Sequence, residues 1–380
     1  MAARSKSSGW LVHVAVLFLV VLWVLPTFGL LVSSLRDKDL LTVSGWWSAL
    51  TTTERNEVGR AAPVEEQLER DGKFVLSGNI LEEQGGGRVT AFGARIQNPQ
   101  EFAPGTTADL PSGGTLTIAE DGSYELVSPT RFEGRSPRIF YTAALPPKFT
   151  FANYYEVLTS EGLGQSFINS LTVTVPATII PILIAAYAAY ALAWMKFPGR
   201  PLILAAIVGL LVVPLQMSLI PLLRLYNDVG AFFGVPAKTY LGIWLAHTGF
   251  GLPLAIYLLR NYIAGLPTEV MESARIDGAT DFEIFIRIVL PLSVPALASF
   301  AIFQFLWVWN DLLVAMVFLG QQSDQLVLTG KLRALLGSRG DNWEILTASA
   351  FVSIIVPLCV FFALQRFLVR GLLAGSVKGG

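Results

Sequence analysis

Charged and metal-ligating residues are scarce in this 380-residue chain. Only 14% of its residues are Asp, Glu, Lys or Arg, against about 25% in soluble domains. A single cysteine, Cys359, excludes a disulfide framework within the chain, and two histidines, His13 and His247, leave no cluster for a metal. No Gly-x-x-x-x-Gly-Lys-Ser/Thr sequence is present, so no phosphate loop is expected. The net charge of −1 argues against nucleic acid as a partner.

Apolar residues make up 53% of the chain and are concentrated in long runs. A helix that crosses a bilayer needs about 20 mostly apolar residues, and six segments meet this length. None alternates polar and apolar residues for long, as strands of a membrane barrel do. The sequence therefore predicts an all-α membrane protein with six transmembrane helices. The segments cover residues 10–34, 166–195, 201–222, 239–259, 292–319 and 345–369.

The first segment could also be a cleaved signal peptide, because basic residues precede it. Its apolar run exceeds the roughly 7–15 residues of a signal peptide, so we interpret it as an uncleaved first helix. Lys and Arg beside the short loops are more numerous on the side of the N-terminus, which predicts that both termini are cytoplasmic. These residues are Arg4, Lys6, Lys196, Arg200, Arg260, Arg275, Arg287, Arg366, Arg370 and Lys378.

The polar stretch between the first two segments divides the chain into three parts. The predicted parts are residues 1–35 with the first helix, an insert at 36–150, and a five-helix core at 151–380. Short strand-like runs make residues 73–145 of the insert β-rich, and we expect this region outside the cytoplasm. Two such runs meet at Asp121-Gly122, a pair typical of a two-residue hairpin turn.

The most informative stretch is the coupling loop, residues 261–291, between the fourth and fifth apolar segments. Pro267 suits a helix start, Gly278 suits the left-handed position after a helix, and Thr280 to Glu283 form a capping box. These features predict two short helices joined at Gly278. In the second helix one apolar stripe is expected, which could contact lipid, the rest of the bundle or a groove in a partner. The stripe comprises Phe282, Phe285, Ile286 and Val289.

The spacing of this loop resembles the signature of ABC importer permeases, which is Glu-Ala-Ala, three residues, Gly, nine residues, Ile-x-Leu-Pro. Ser273 in place of the second motif residue is the one departure. In such permeases this element docks into a cleft of a cytoplasmic ATPase. The resemblance implies ATPase-coupling roles for Glu269, Glu272, Ser273, Ala274, Asp277, Gly278, Ile288, Leu290 and Pro291.

The last ten residues, 371–380, resemble the tail of the smaller permease subunit of maltose-type importers. A docking or regulatory role is implied for Gly371, Ala374, Gly375 and Lys378. The resemblance covers about residues 10–35 and 150–380, and a long insert after the first span is similar to that of α-glucoside importer permeases.

As a whole, the resemblance implies a type I ABC importer permease of the bacterial inner membrane that carries a sugar. Its implied partners are a second permease, a cytoplasmic ATPase dimer, an extracytoplasmic sugar-binding protein at the loop 320–344, and membrane lipid. The chain itself is then no enzyme and holds no cofactor, because ATP is used by the partner.

Polar residues at membrane depth are candidates for the substrate path, since their burial in lipid is costly. Three of them, Gln216, Asn310 and Asp311, are our candidates. The neighbouring tryptophans of residues 305–311 we interpret as an ordinary interfacial belt, and His247 as a packing residue.

Two other classes of function remain open at this stage. An ion-coupled secondary transporter would have intramembrane acids or broken helices, and a permease with this loop could also carry a non-sugar solute. A third interpretation gives the main function to the insert and makes the helices its scaffold.

Overall fold

The computed structural model describes residues 6–159, 162–320, 322, 324–338 and 342–376. The chain divides into two units, one made of residues 1–153 and 342–348 and the other of residues 154–341 and 349–380. Within the described residues, four helices are long and apolar enough to cross a membrane, or up to six if each of two bent helix pairs is one span.

The first unit starts with a helix and continues as a β-rich insert. The apolar part of this helix, Trp10–Leu35, has a mean hydropathy of 2.6, and its residues from Trp10 to Phe28 are exposed. The elements are α1 (Lys6–Leu35), α2 (Lys38–Val43), β1 (Thr53–Arg60), β2 (Leu68–Arg70), β3 (Lys73–Asn79), β4 (Arg88–Gly93), β5 (Thr107–Asp109), β6 (Thr115–Ile118), β7 (Ser123–Ser128) and β8 (Arg138–Leu145).

A buried arginine joins the end of α1 to the insert. The guanidinium of Arg36, whose residue is 2% exposed, donates to the carbonyl oxygens of Ser44 and Gly45 at 2.8 and 2.9 Å. The chain returns at the same place, where the amide of Asn153 donates to the carbonyl oxygens of Ser34 and Arg36. Because the segment that enters the insert and the segment that leaves it are hydrogen-bonded to each other, the insert is fixed to the end of α1.

Two antiparallel sheets enclose the core of the insert. One has the order β1-β8-β4 and the other β2-β3-β7-β6-β5. Alternate residues of β6 and β7 point inward, as the pair Leu116 and Leu126 does across these two strands. The fully buried core includes Leu76, Phe92, Ile118, Ile139 and Tyr141.

The predicted hairpin is confirmed as β6 and β7, although its loop has four residues, Ala119 to Gly122, between the strand ends. Gly122 has a φ of +83°, and Asp121 accepts hydrogen bonds from Ser123. Strands begin earlier than the predicted start at residue 73. β1 carries charged residues along its length, which hid its strand pattern.

The second unit consists of helices. They are α3 (Ala152–Thr159), which begins at the end of the first unit, α4 (Leu163–Trp194), α5 (Arg200–Leu210), α6 (Leu215–Phe233), α7 (Tyr240–Ile263), α8 (Thr268–Ile276), α9 (Asp281–Ile284), α10 (Leu290–Leu292), α11 (Val294–Asn310), α12 (Leu313–Phe318), α13 (Leu328–Ser338) and α14 (Trp343–Ser376), whose residues up to 348 belong to the first unit.

The pair α4 and α7 forms the centre of this unit. Small residues of α4, among them Ala185 and Ala189, are fully buried against α7, as is usual where membrane helices approach closely. An indole N–H fixes the pair near each end: Trp244 donates to the carbonyl oxygen of Thr172, and Trp194 to that of Ile263.

Two of the predicted spans are broken. The segment predicted at 201–222 consists of α5 and α6, which meet at an angle of 107°. The segment predicted at 292–319 stops at Asn310, and α12 begins after a break at which Asp311 accepts from the N–H of Val314. Prolines and backbone polar groups at these breaks are tolerated in a membrane protein only inside protein or beside a cavity.

Candidate functional site

The coupling loop folds as predicted around Gly278. Gly278 has a φ of +83° and donates to the carbonyl oxygen of Arg275, while Ala279 donates to that of Ala274. These two bonds form a Schellman motif at the end of α8. The capping box is confirmed, since Thr280 and Glu283 bond to each other's backbone N–H. Pro267 lies one position earlier than predicted, at the N-cap of α8.

One side of the loop is buried in the helix bundle. Met271, Ile284 and Val289 are at most 1% exposed and belong to the cluster that includes α4 and α7. The predicted single stripe is wrong, because Phe285 and Val289 face the bundle whereas Phe282 and Ile286 are exposed. Residues Phe285–Val289 form a π-helical turn, whose wider spacing differs from the α-helical spacing that the prediction assumed.

A tyrosine of α4 holds the loop by a hydrogen bond. The hydroxyl of Tyr190 donates to Oδ1 of Asp281 at 3.0 Å, and Arg275 pairs with the same carboxylate at 3.4 Å. The rings of Tyr187 and Tyr190 both contact the ring of Phe285. Sequence reasoning missed these two tyrosines, although their spacing of three residues on an apolar helix places them on one face.

The opposite side of the loop carries exposed apolar residues. Ile276 is 85% exposed and Phe282 is 62% exposed, and both lie beside the Gly278 turn. The predicted contact residues Glu269, Glu272, Ser273 and Asp277 are exposed on the same short segment. Within the described residues the side chain of Asp277 has no ion pair. The two nearby arginines pair with other acids, Arg275 with Asp281 and Arg287 with Glu283.

The later part of the signature has a different position. Ile288 and Leu290 are half-buried and pack against the bundle core, as Ala274 also does. Pro291 is exposed within α10. These residues connect the loop to α11 rather than extending its exposed side.

The three candidates for the substrate path come together in one cavity. Gln216 at the start of α6 and Asn310 and Asp311 at the end of α11 line a space of about 350 Å³. Both helix breaks border this polar cavity, which explains why residues from distant parts of the sequence meet there. Its volume is near the lower end of the range of about 300–1,000 Å³ found for small-molecule pockets.

Two other buried residues with polar groups, Asn169 and Trp309, have structural partners. Asn169 donates to the carbonyl oxygens of Asp324 and Leu326 and accepts from Tyr240. Trp309 is 2% exposed and donates to the carbonyl oxygen of Ser353. Both residues hold helices and segments of the unit together, so they are not available to a ligand.

The predicted tail role is largely beyond what the structure covers. Gly371, Ala374 and Gly375 lie in the backbone of α14, and Lys378 is outside the described residues, as is Arg4.

Apolar spanning helices, an anchored loop with an exposed apolar side and a polar cavity define an integral membrane component of a transport system. A family model described as "Binding-protein-dependent transport system inner membrane component" matches residues 166–373. The chain belongs to this family.

Two relatives refine this result. The chain is 72% identical to the alpha-glucoside transport system permease protein AglG of Rhizobium meliloti over 379 residues, which covers 100% of this chain and 99% of that protein. It is 60% identical to the osmoprotective compounds uptake permease protein GgtD of Synechocystis sp. over 231 residues, 61% of this chain and 76% of that protein. The Rhizobium alignment therefore includes the insert, which the family model does not.

Several solved structures are similar to part of the chain. A bacterial ABC transporter involved in the import of the acidic polysaccharide alginate matches 59% of this chain and 82% of its own chain, with 24% identity and a TM-score of 0.49.

Proposed function

We propose that this chain is one of two permease subunits of an ATP-driven importer for oligosaccharides of the α-glucoside class. In this proposal it crosses the membrane six times, with both termini in the cytoplasm and the insert outside. An ATPase dimer hydrolyses the ATP, and a binding protein delivers the sugar. The 72% identity to a permease whose name denotes alpha-glucoside transport supports the sugar class.

The observation that carries the proposal is the two-sided coupling loop. Its buried side packs in the bundle through Met271 and is fixed to α4 through Phe285 and the Tyr190–Asp281 hydrogen bond. Its free side presents Ile276 and Phe282 to solvent. Exposed apolar side chains on a rigid helical element are typical of a surface that fills a groove in a partner.

This geometry allows the loop to transmit a movement of the ATPases to the spanning helices. Closure of the ATPases would move α8 and α9 as one body, and the contacts with α4 would pass the displacement into the spanning helices. The bundle would then change from inward-open to outward-open, so that ATP binding shifts the equilibrium between these two conformations of the translocation path. Gln216, Asn310 and Asp311 are proposed to line that path, and the loop 320–344, which contains α13, to contact the binding protein.

An ion-coupled transporter is the second candidate, and the 107° bend between α5 and α6 is the observation that favours it. Uptake of radiolabelled maltose into membrane vesicles separates the two. We expect uptake to require internal ATP and to survive ionophores that collapse ion gradients. Uptake that follows the gradient and ignores ATP would refute the proposed function.

The interpretation that the insert carries the main function is tested by deletion. Thr53 and Leu145 are paired across β1 and β8, so a short Gly-Ser link can replace residues 54–144 without moving the ends. We expect the shortened chain to retain ATP-driven uptake. Complete loss of uptake, with the complex still assembled, would favour the insert as the functional centre.

A further inference from the structure

One tryptophan lies between two cavities of the helical unit. Trp307 of α11 lines the polar cavity of about 350 Å³ described above. It also lines a second, mainly apolar cavity of about 510 Å³ between α6, α7 and α11. The two cavities share Leu215 as well, so they are neighbours along α11.

Trp307 differs from the nearby Trp309 in its surroundings. Trp309 is buried and stacked on Phe305, and its indole N–H donates to the carbonyl oxygen of Ser353. Trp307 is only half-buried, and no hydrogen bond of its N–H is found within the described residues. The buried ring of His247 contacts Trp307 edge to face at 5.6 Å, which fixes the orientation of the indole.

A buried acceptor without a partner lines the second cavity one helical turn away. The side chain of Gln304 is fully buried and donates through Nε2 to the carbonyl oxygen of Ala177 at 3.1 Å. Its Oε1 has no hydrogen bond in the described part of the chain. Gly251 makes room for this amide, because a Cβ there would lie 2.7 Å from it. Gln304 therefore fixes α11 to α4 one turn from Trp307, and its oxygen is closed to solvent.

We propose that Trp307 is the platform on which a pyranose ring stacks during its passage, and that Asn310 and Asp311 supply polar groups on the side of the smaller cavity. The negative face of the indole suits the C–H groups of a sugar ring. A mainly apolar cavity with a few placed polar groups is the usual form of a small-molecule site. This inference rests on the proposed function in sugar import.

The test uses the full complex of both permeases, ATPase and binding protein in proteoliposomes, with radiolabelled maltose, trehalose and sucrose as probes. Trp307→Leu should lower the uptake of the transported sugar about tenfold at saturating binding protein, the factor that a stacking contact of this kind supplies. ATP hydrolysis should stay within about twofold of wild type, since the coupling loop is unchanged, so the sugar moved per ATP falls. Trp307→Phe should restore most of the uptake, because the ring face is kept.

Trp309→Phe is the matched control. It removes the hydrogen bond to Ser353, so we expect less complex to be recovered, while the sugar moved per ATP by that complex stays at the wild-type value. The inference is overturned if Trp307→Leu keeps the wild-type ratio, or if uptake and ATP hydrolysis fall together as a purely structural role would require. A wild-type complex that takes up none of the three sugars with ATP would instead contradict the proposed function on which the inference depends.

Discussion

The coupling loop and the insert both interrupt the apolar segments, but they are built in opposite ways. The insert buries its apolar side chains in its own two-sheet core, with Leu76 and Ile118 fully covered. The coupling loop has no core of its own: it shares Met271 and Ile284 with the bundle and leaves Ile276 and Phe282 uncovered. A substitution in the insert, which has its own core, should therefore have local effects. A substitution in the coupling loop, which packs on the helix bundle, should also affect the bundle.

The two regions can be compared through equivalent glycines. Gly278 in the loop and Gly113 in the insert have φ values of +83° and +87°, and neither has atoms near the site of a Cβ. A valine costs about 1–2 kcal/mol of strain at either position. We expect Gly278→Val to lower sugar uptake roughly tenfold or more, because the strain redirects α9. Gly113→Val should leave uptake unchanged, and equal losses in the two variants would remove the contrast.

Exposed apolar residues give a second comparison. Phe282 and Ile96 are 62% and 56% exposed, in the loop and the insert respectively. Both changes to serine should alter stability by less than about 0.5 kcal/mol, since neither side chain is buried. Phe282→Ser should weaken binding of the purified ATPase by roughly tenfold or more, as loss of an interface anchor does. If the Phe282→Ser variant binds the ATPase as tightly as the Ile96→Ser variant does, Phe282 does not contact the ATPase.

The tether between α4 and the loop should have a smaller effect. Tyr190→Phe removes the hydroxyl that donates to Asp281 and keeps the ring that contacts Phe285. A hydrogen bond to a charged group contributes about 1.5–3 kcal/mol, but Arg275 still holds this carboxylate, so we expect a drop in sugar moved per ATP of only about threefold. Tyr257→Phe in α7 is the control, because no hydrogen bond of its hydroxyl is found within the described residues. Equal ratios for the two variants would mean that the tether carries no coupling.

The smallest effect is expected from pH in the insert. Hydrogen bonds from the hydroxyl and the backbone N–H of Ser123 hold the pKa of Asp121 below its ordinary value. The stabilisation is therefore present above the pKa of the unfolded chain, about 3.9, and is lost as the pH falls through the lower folded pKa. Hydrogen exchange of residues 115–128 in the intact chain should speed up in that acid range, and less so in Asp121→Asn. An acid response that this variant retains in full would exclude Asp121 as its cause.

Local sequence signals predicted the parts of the structure that depend on neighbours in the chain. Gly278, the capping box of Thr280 and Glu283 and the hairpin at Gly122 all formed, because each depends on a few consecutive residues. The strand Thr53–Arg60 was missed, since it lies at a sheet edge, where charged residues are accommodated on the exposed positions.

Features that are set by tertiary packing could not be predicted from the sequence. Two residues of the expected stripe, Phe282 and Ile286, are exposed, and the π-helical turn at Phe285–Val289 has no local sequence signal. The breaks before α6 and after Asn310 divide continuous apolar runs. Gln216 and Asp311 were recognisable as costly polar residues, but only the folded chain brings them to one cavity and shows that Trp307, rather than Trp309, borders it.

The central claim, that the coupling loop faces the cytosol and is covered by an ATPase, can be measured directly. The chain has one cysteine, Cys359, so Ile276→Cys in a Cys359→Ala background gives a single thiol at the most exposed large apolar residue of the loop. We predict that a membrane-impermeant maleimide labels it in inside-out vesicles stripped of ATPase, and that adding back the ATPase protects it. Labelling from the outside of intact cells, or labelling that the ATPase never reduces, would contradict the account.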